Sequence, residues 1–256
     1  MLSLGEFMSW KTIRRLLVGG VVVLVVAVGA PTTTAAHAAP TTTAAATISW
    51  APCEQDATAE CGALRVPVDW AHPDGATFDL AVARRAATDP AARIGTLVIN
   101  PGGPGGSGVN AVLAGGFDDE LGRHFDLLGF DPRGVGGSSP VLCSLDLLNQ
   151  VSSTITSQAE FDRTVAASRA LADDCRSRSG PVFDHVDTVQ TVGDIDAIRA
   201  AVGDGQLSFF GMSYGTLMAH QYAERFPDRV RAIVADSNMD HSLDASGFAT
   251  TGAATD

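Results

Sequence analysis

The chain has 256 residues, 45% of them hydrophobic and 18% charged, which is enough for one globular domain or most of one. Its 29 acidic residues outnumber 17 basic ones, for a formal net charge of -12. That balance argues against a nucleic-acid partner, whose phosphates need clustered cations, and serves solubility without naming a substrate.

The N-terminus reads as a targeting segment. Lys11, Arg14 and Arg15 precede an apolar run from Leu16 to Ala30, and Ala36-His37-Ala38 is a small-x-small cleavage site. Residues 1–38 are therefore expected to be a secretory signal peptide, with an exported, extracytoplasmic product. A retained membrane anchor is the alternative, although the run falls short of the roughly 20 residues of a span. Arg14-Arg15 leaves twin-arginine export open, and Met8 is a second candidate start. Cleavage after Ala38 removes three basic residues and one acidic residue, so the mature chain is acidic by 14 and has no stable span. Residues 39–47, APTTTAAAT, form a Thr/Ala/Pro linker, and 48–256 carry the folded domain.

All four cysteines, Cys53, Cys61, Cys143 and Cys175, lie in the exported part, where disulfides persist. Of three possible connectivities, Cys53 with Cys61 and Cys143 with Cys175 are expected, because each pair brackets a segment without a strong apolar period. A zinc site is disfavoured, since there is no C-x-x-C and no suitably spaced histidine. No metal and no cofactor are expected.

The first strand lies around Ala63, Arg65 and Val66 to Val68. The second, Thr77 to Arg84, alternates Phe78, Leu80 and Val82 inward with Asp79, Ala81 and Ala83 between them. The turn His72-Pro73-Asp74-Gly75 joins the two as a hairpin. Gly95 to Asn100, GTLVIN, is apolar nearly throughout, as a central strand covered on both faces should be. It runs into Pro101-Gly102-Gly103-Pro104-Gly105-Gly106-Ser107-Gly108, where glycines leave backbone amides bare and prolines limit the loop's freedom. Lying between a buried strand and the helical Val109 to Ala114, it reads as an oxyanion-hole loop.

Phe125 to Phe130 is another buried strand, ending in Asp131-Pro132-Arg133-Gly134. Asp131 and Arg133 are expected to tie that turn together by charge-assisted hydrogen bonds, in preference to a catalytic role. Residues 139–187 form an excursion, in which Ser157-Gln158-Ala159-Glu160 is a capping box opening a helix to about Cys175. A helix from Thr188 to Val202 places Val192, Ile195, Ile198 and Val202 on one face, and Gly203 stops it.

The stretch QLSFFGMSYGTL, Gln206 to Leu217, is an apolar strand turning sharply onto a helix with Ser213 at the corner. In Gly211-Met212-Ser213-Tyr214-Gly215 the flanking glycines stand where a Cβ would collide, leaving the hydroxyl exposed at the tip of a nucleophile elbow. The following helix aims its first amides and positive dipole end at the corner, where negative charge on a bound acyl group would be stabilised. It ends near Phe226-Pro227, and a strand Val230 to Ala235 follows. Strands alternating with helices give an α/β architecture, mostly parallel with an N-terminal hairpin, and gather the loops at the carboxyl ends of the strands, the Gly102 to Gly106 loop near Ser213.

INPGGPGGSG, LLGFDPRGVGGSS and TVGDIDAIRAAVGDGQLSFFGMSYGT, in that order, resemble the secreted tripeptidyl aminopeptidases and related proline iminopeptidase-like members of the α/β-hydrolase fold. The similar region runs from about Cys53 to Asp240. The resemblance implies a serine peptidase that releases short peptides or single residues from free N-termini through an acyl-Ser213 intermediate. Carried over by position, Ser213 is the nucleophile, and the amides of Tyr214 and of one glycine in the Gly102-Gly103 pair, Gly103 by preference, form the oxyanion hole.

The same resemblance calls for an acid and a histidine after the serine, beyond an inserted lid. Only His241 follows at any distance, His220 lying about two turns down the elbow helix. Asp236, at the end of the last strand, is a lesser candidate for the triad acid or for a substrate ammonium. His72, His124 and His185 read as turn or surface residues, so no catalytic His or Asp is assigned. The expectation is therefore an N-terminal portion, truncated before the lid and last strands, with the Val230 to Ala235 strand at an open edge and prone to aggregate. Lacking its histidine, such a site loses on the order of a millionfold in turnover and is close to inert. The competing readings are an esterase or acyltransferase on the same scaffold, and a non-catalytic binding protein or decayed remnant.

Overall fold

The computed structural model describes residues 47–152, 154–244, 246–247 and 250. The expected signal peptide, and all of the expected linker but its last residue, lie outside them. Among the described residues no helix is long and apolar enough to cross a membrane.

One seven-stranded sheet organises the chain. Its elements are β1 (Ala51–Pro52), β2 (Glu60–Pro67), β3 (Thr77–Arg85), β4 (Gly95–Asn100), β5 (Phe125–Phe130), β6 (Leu207–Met212) and β7 (Val230–Asp236), in the spatial order β1-β2-β3-β5-β4-β6-β7. The pairs β1–β2, β2–β3 and β3–β5 are antiparallel, whereas β5–β4, β4–β6 and β6–β7 are parallel. This is the expected hairpin leading into a parallel sheet, since a parallel neighbour needs a helical crossover and an antiparallel one needs only a turn. The hairpin turn closes through the Gly75 amide on the His72 carbonyl at 2.9 Å.

β4 is buried at all six positions, as a strand with helices on both faces must be. On one face Leu64, Leu80, Val98, Leu128, Phe130, Phe209 and Tyr222 form the larger core; on the other Ala83, Leu97, Ile99, Val112 and Leu127 form a smaller one. Ala83 therefore does not face solvent between inward neighbours. α1 (Gly108–Ala114) covers that second face with Val112, and a period of two cannot tell one covered face from two.

The remaining helices are α2 (Asp119–His124), α3 (Leu145–Leu148), α4 (Gln158–Ser179), α5 (Thr188–Ala201) and α6 (Tyr214–Arg225). α2 and α3 have too few turns to show a period, and the sequence did not disclose them. α4 runs four residues past Cys175 and stops at Gly180, whose φ is 70°. At its capping box Ser157 Oγ accepts the Glu160 amide, and Glu160 Oε2 accepts from the amide and hydroxyl of Thr156. α5 buries Val192, Ile195 and Ile198, while Val202 falls just after its last turn and stays half-buried.

Both expected disulfides are present, Cys53–Cys61 and Cys143–Cys175, with Cα separations of 4.9 and 4.4 Å. Among the described residues β7 pairs only with β6 and is exposed over most of its length. Arg133 departs from expectation. Its side chain leaves its own turn, forms a fully buried pair with Asp194 of α5 through Nε (2.8 Å) and Nη2 (2.7 Å), and donates to the carbonyls of Pro67, Val68 and His185. It ties the hairpin to α5, because a buried guanidinium has five N–H groups to satisfy and one turn offers too few acceptors. Burial pushes the Asp194 carboxyl above its ordinary value, and Arg133 and Trp70 pull against it. Asp131 also reaches beyond its turn, accepting from the Gly137 amide within it but from Ser107 Oγ and the Val109 amide at the start of α1.

Candidate active site

The corner between β6 and α6 has the geometry its glycines require. A Cβ on Gly211 would stand 2.5 Å from the Gly215 carbonyl oxygen, and one on Gly215 would stand 2.8 Å from Asn100 Oδ1. Strand, elbow helix and β4 thus meet backbone to backbone, closer than side chains allow. Between the glycines Ser213 adopts φ 48° and ψ -118°, a left-handed conformation that costs a non-glycine residue on the order of 1–3 kcal/mol. Neighbours hold it there. The Ser213 amide donates to the Asp236 carbonyl at 2.8 Å, and its carbonyl accepts from the Thr216 amide (2.9 Å) and hydroxyl (2.7 Å). With its backbone bonded on both sides, the residue leaves its side chain exposed and free of hydrogen bonds to described residues.

The glycine loop after β4 packs directly on this corner. At Gly102 φ is +85°, and a Cβ there would lie 2.3 Å from the Met212 carbonyl oxygen and 3.2 Å from Ser213 Cβ. Gly102 is buried and its amide donates to Asn100 Oδ1 at 2.9 Å. Gly103 is exposed, and its amide, like that of Tyr214, donates to no described residue. Tyr214 is fixed from the far side, its hydroxyl 2.6 Å from Thr188 Oγ1 at the start of α5. Ser213 and Tyr214, together with Gly103 more than a hundred residues earlier in sequence, line one open cleft of about 570 Å³ with Leu217, Met239 and Leu243. Asp240, His241 and Asp244 are on its wall.

The histidines are engaged elsewhere. His241 Nε2 lies 2.7 Å from Glu224 Oε1, and its ring stacks on His220 at 4.6 Å between centroids. His220 Nε2 is 2.6 Å from Asn238 Oδ1. His72 pairs with Asp69, His124 with the Ala92 carbonyl and Glu120, and the His185 carbonyl serves Arg133. No described histidine hydrogen-bonds Ser213. The Asp236 side chain is exposed and bonds the Ser237 hydroxyl, while its carbonyl anchors Ser213. Among the described residues no cluster of His, Cys, Asp or Glu would hold a metal ion.

Asn100 was not singled out from sequence, although it is fully buried behind both glycine motifs. The available signal was one polar residue closing an otherwise apolar strand. Its Nδ2 is buried without an acceptor among the described residues.

A family model for the alpha/beta hydrolase fold matches residues 95–250, which contain β4, the glycine loop and the serine corner. The serine protease Hip1 of Mycobacterium tuberculosis (strain ATCC 25618 / H37Rv) is 41% identical over 214 residues, covering 77% of this chain and 40% of the relative. The tripeptidyl aminopeptidase of Streptomyces lividans is 37% identical over 217 residues, covering 78% and 40%. Carboxylesterase B of M. tuberculosis is 37% identical over 211 residues, covering 76% and 40%. The chain spans about 40% of the length of these relatives.

Proposed function

The chain belongs to the α/β-hydrolase family, among its serine-peptidase-like hydrolases, and from that premise we propose that it is an exported aminopeptidase-type enzyme acting through Ser213. The observation that carries this reading is the strained, doubly anchored backbone of Ser213 pressed against the Gly102-Gly103 loop. Ser213 Oγ attacks the scissile carbonyl and forms the acyl-oxygen bond. The developing oxyanion accepts from the Gly103 and Tyr214 amides, and collapse expels the amine. Water then hydrolyses the acyl-enzyme and restores the hydroxyl. Amides held in place before reaction would need no reorganisation as the charge appears.

In such sites a histidine oriented by a carboxylate takes the nucleophile's proton and passes it to the departing amine, then takes a proton from the attacking water and returns it to the serine oxygen. A peptide with a free N-terminus suits a cleft whose wall carries Asp240 and Asp244, carboxylates that attract an ammonium group. Export is supported by two disulfides, which persist in oxidising compartments. The second reading, an esterase, is favoured by the likeness to carboxylesterase B.

The test is labelling of the intact, full-length protein with a fluorophosphonate, alongside hydrolysis of tripeptidyl arylamides, aminoacyl arylamides and short acyl esters. Labelling that Ser213→Ala abolishes, with arylamides preferred, is the expected result. Preference for esters selects the second reading, and a folded protein that does not label at Ser213 removes both.

A further inference from the structure

The two halves of the proposed oxyanion site come from distant parts of the chain, and one side chain lies against the residue next to each. Asn100 closes β4, opposite Gly211 in the β4–β6 register, and is fully buried. Its Oδ1 accepts the Gly102 amide at 2.9 Å. The same Oδ1 is the nearest atom a Cβ on Gly215 would meet, so the first turn of α6 is seated against it. Because Oδ1 takes an N–H, the orientation of the carboxamide is fixed, and Nδ2 is left buried without an acceptor among the described residues. A buried donor without a partner is unfavourable, and an apolar residue of similar size would avoid it. Among the described residues the carboxamide makes one hydrogen bond, and that bond is at the site.

We propose that Asn100 is a positioning residue for acyl transfer. It turns the Gly102 N–H away from the cleft and into the sheet end, so that the next amide, that of Gly103, faces the cleft beside Tyr214 and Ser213. The inference rests on the reading of Ser213 as nucleophile. It adds the reason why, of two adjacent glycines, the second presents its amide. An oxyanion donor must stand at about 2.7–3.1 Å from the charge it stabilises, so a rotated Gly102-Gly103 peptide would forfeit the contact.

Hydrogen–deuterium exchange on the intact, full-length protein tests the positioning directly. In the wild type the Gly102 amide is expected to exchange slowly and the Gly103 amide at the rate of an open loop. Asn100→Leu, branched at Cγ like Asn but larger and without an acceptor, should deprotect Gly102 by about a hundredfold or more while amides in β4 and β5 stay unchanged. Asn100→Asp keeps an acceptor at Oδ1 and should keep Gly102 protected. In turnover Asn100→Leu should lower kcat by roughly ten- to a hundredfold with KM within about twofold, since the lost interaction belongs to the transition state. Wild-type exchange at Gly102 as fast as at Gly103, or a folded Asn100→Leu with unchanged kcat, would overturn the proposal. If Asn100→Leu does not fold, wild-type exchange and Asn100→Asp decide the matter. Absence of any Ser213-dependent turnover in the wild type would instead remove the reading of the site, with the Gly102 and Gly103 exchange rates still deciding what Asn100 holds.

Discussion

Ser213 occupies a backbone conformation that its side chain disfavours, and the surrounding residues explain its persistence. Its amide and carbonyl are both spent on Asp236 and Thr216, and the loop beneath packs so closely that the Met212 carbonyl and Ser213 Cβ occupy the space a Cβ on Gly102 would take. Gly102→Ala combines φ +85° with a 2.3 Å approach to the Met212 carbonyl. Gly105→Ala, at φ +92°, meets nothing within 4 Å and bears only the backbone cost, about 1–2 kcal/mol. Thermal melting should therefore show Gly105→Ala lowered by a few degrees and Gly102→Ala by clearly more. Only Gly102→Ala should also abolish fluorophosphonate labelling of Ser213, and equal effects at the two positions would contradict the close packing described.

At the scale of elements, buried charge and paired loops hold the site's supports together. Arg133 joins the end of β2 to α5, and both Arg133 and Asp194 are wholly shielded from water. Arg133→Met leaves a buried carboxylate without its cation and should cost about 3–5 kcal/mol in urea denaturation. Adding Asp194→Leu should restore only part of this, because the carbonyls of Pro67, Val68 and His185 remain without their donor. Full restoration would mean that those three bonds contribute nothing. A second clamp, Arg85, donates to the Val112 and Leu113 carbonyls of α1 and pairs with Asp56. Hydrogen bonds from the Thr58 hydroxyl and amide, then from Arg85, hold the Asp56 carboxyl down to about 2, against an ordinary value of 3.8. A depressed folded-state value means that the stabilisation is present above about pH 4 and lost as pH falls towards 2. Acid titration of stability should be flatter across that window in Asp56→Asn than in the wild type. Identical profiles would show that the Arg85 clamp does not depend on the carboxylate.

Across the whole molecule, two disulfides close loops of different size, with sequence separations of 8 and 32. On chain-entropy grounds they stabilise by about 2.5 and about 3.7 kcal/mol respectively. Replacing Cys143 and Cys175 together with alanine should lower the denaturation midpoint more than replacing Cys53 and Cys61. The reverse order would point to residual structure around the excursion in the unfolded chain.

Much of this arrangement was legible in the sequence because it is local. GTLVIN and FDLLGF declare buried strands by composition, the G-x-S-x-G spacing declares the corner, and glycines between a strand and a helix declare the loop that meets it. The two disulfides followed from segments that lacked an apolar period of their own. Tertiary structure alone decided that Ala83 packs under α1, that Arg133 serves α5 instead of its own turn, and that Asn100 lies behind both glycine motifs. Periodicity and propensity report what a residue does to its own segment. Which distant segment satisfies a buried polar group depends on where the chain returns, and that is fixed only when the sheet assembles.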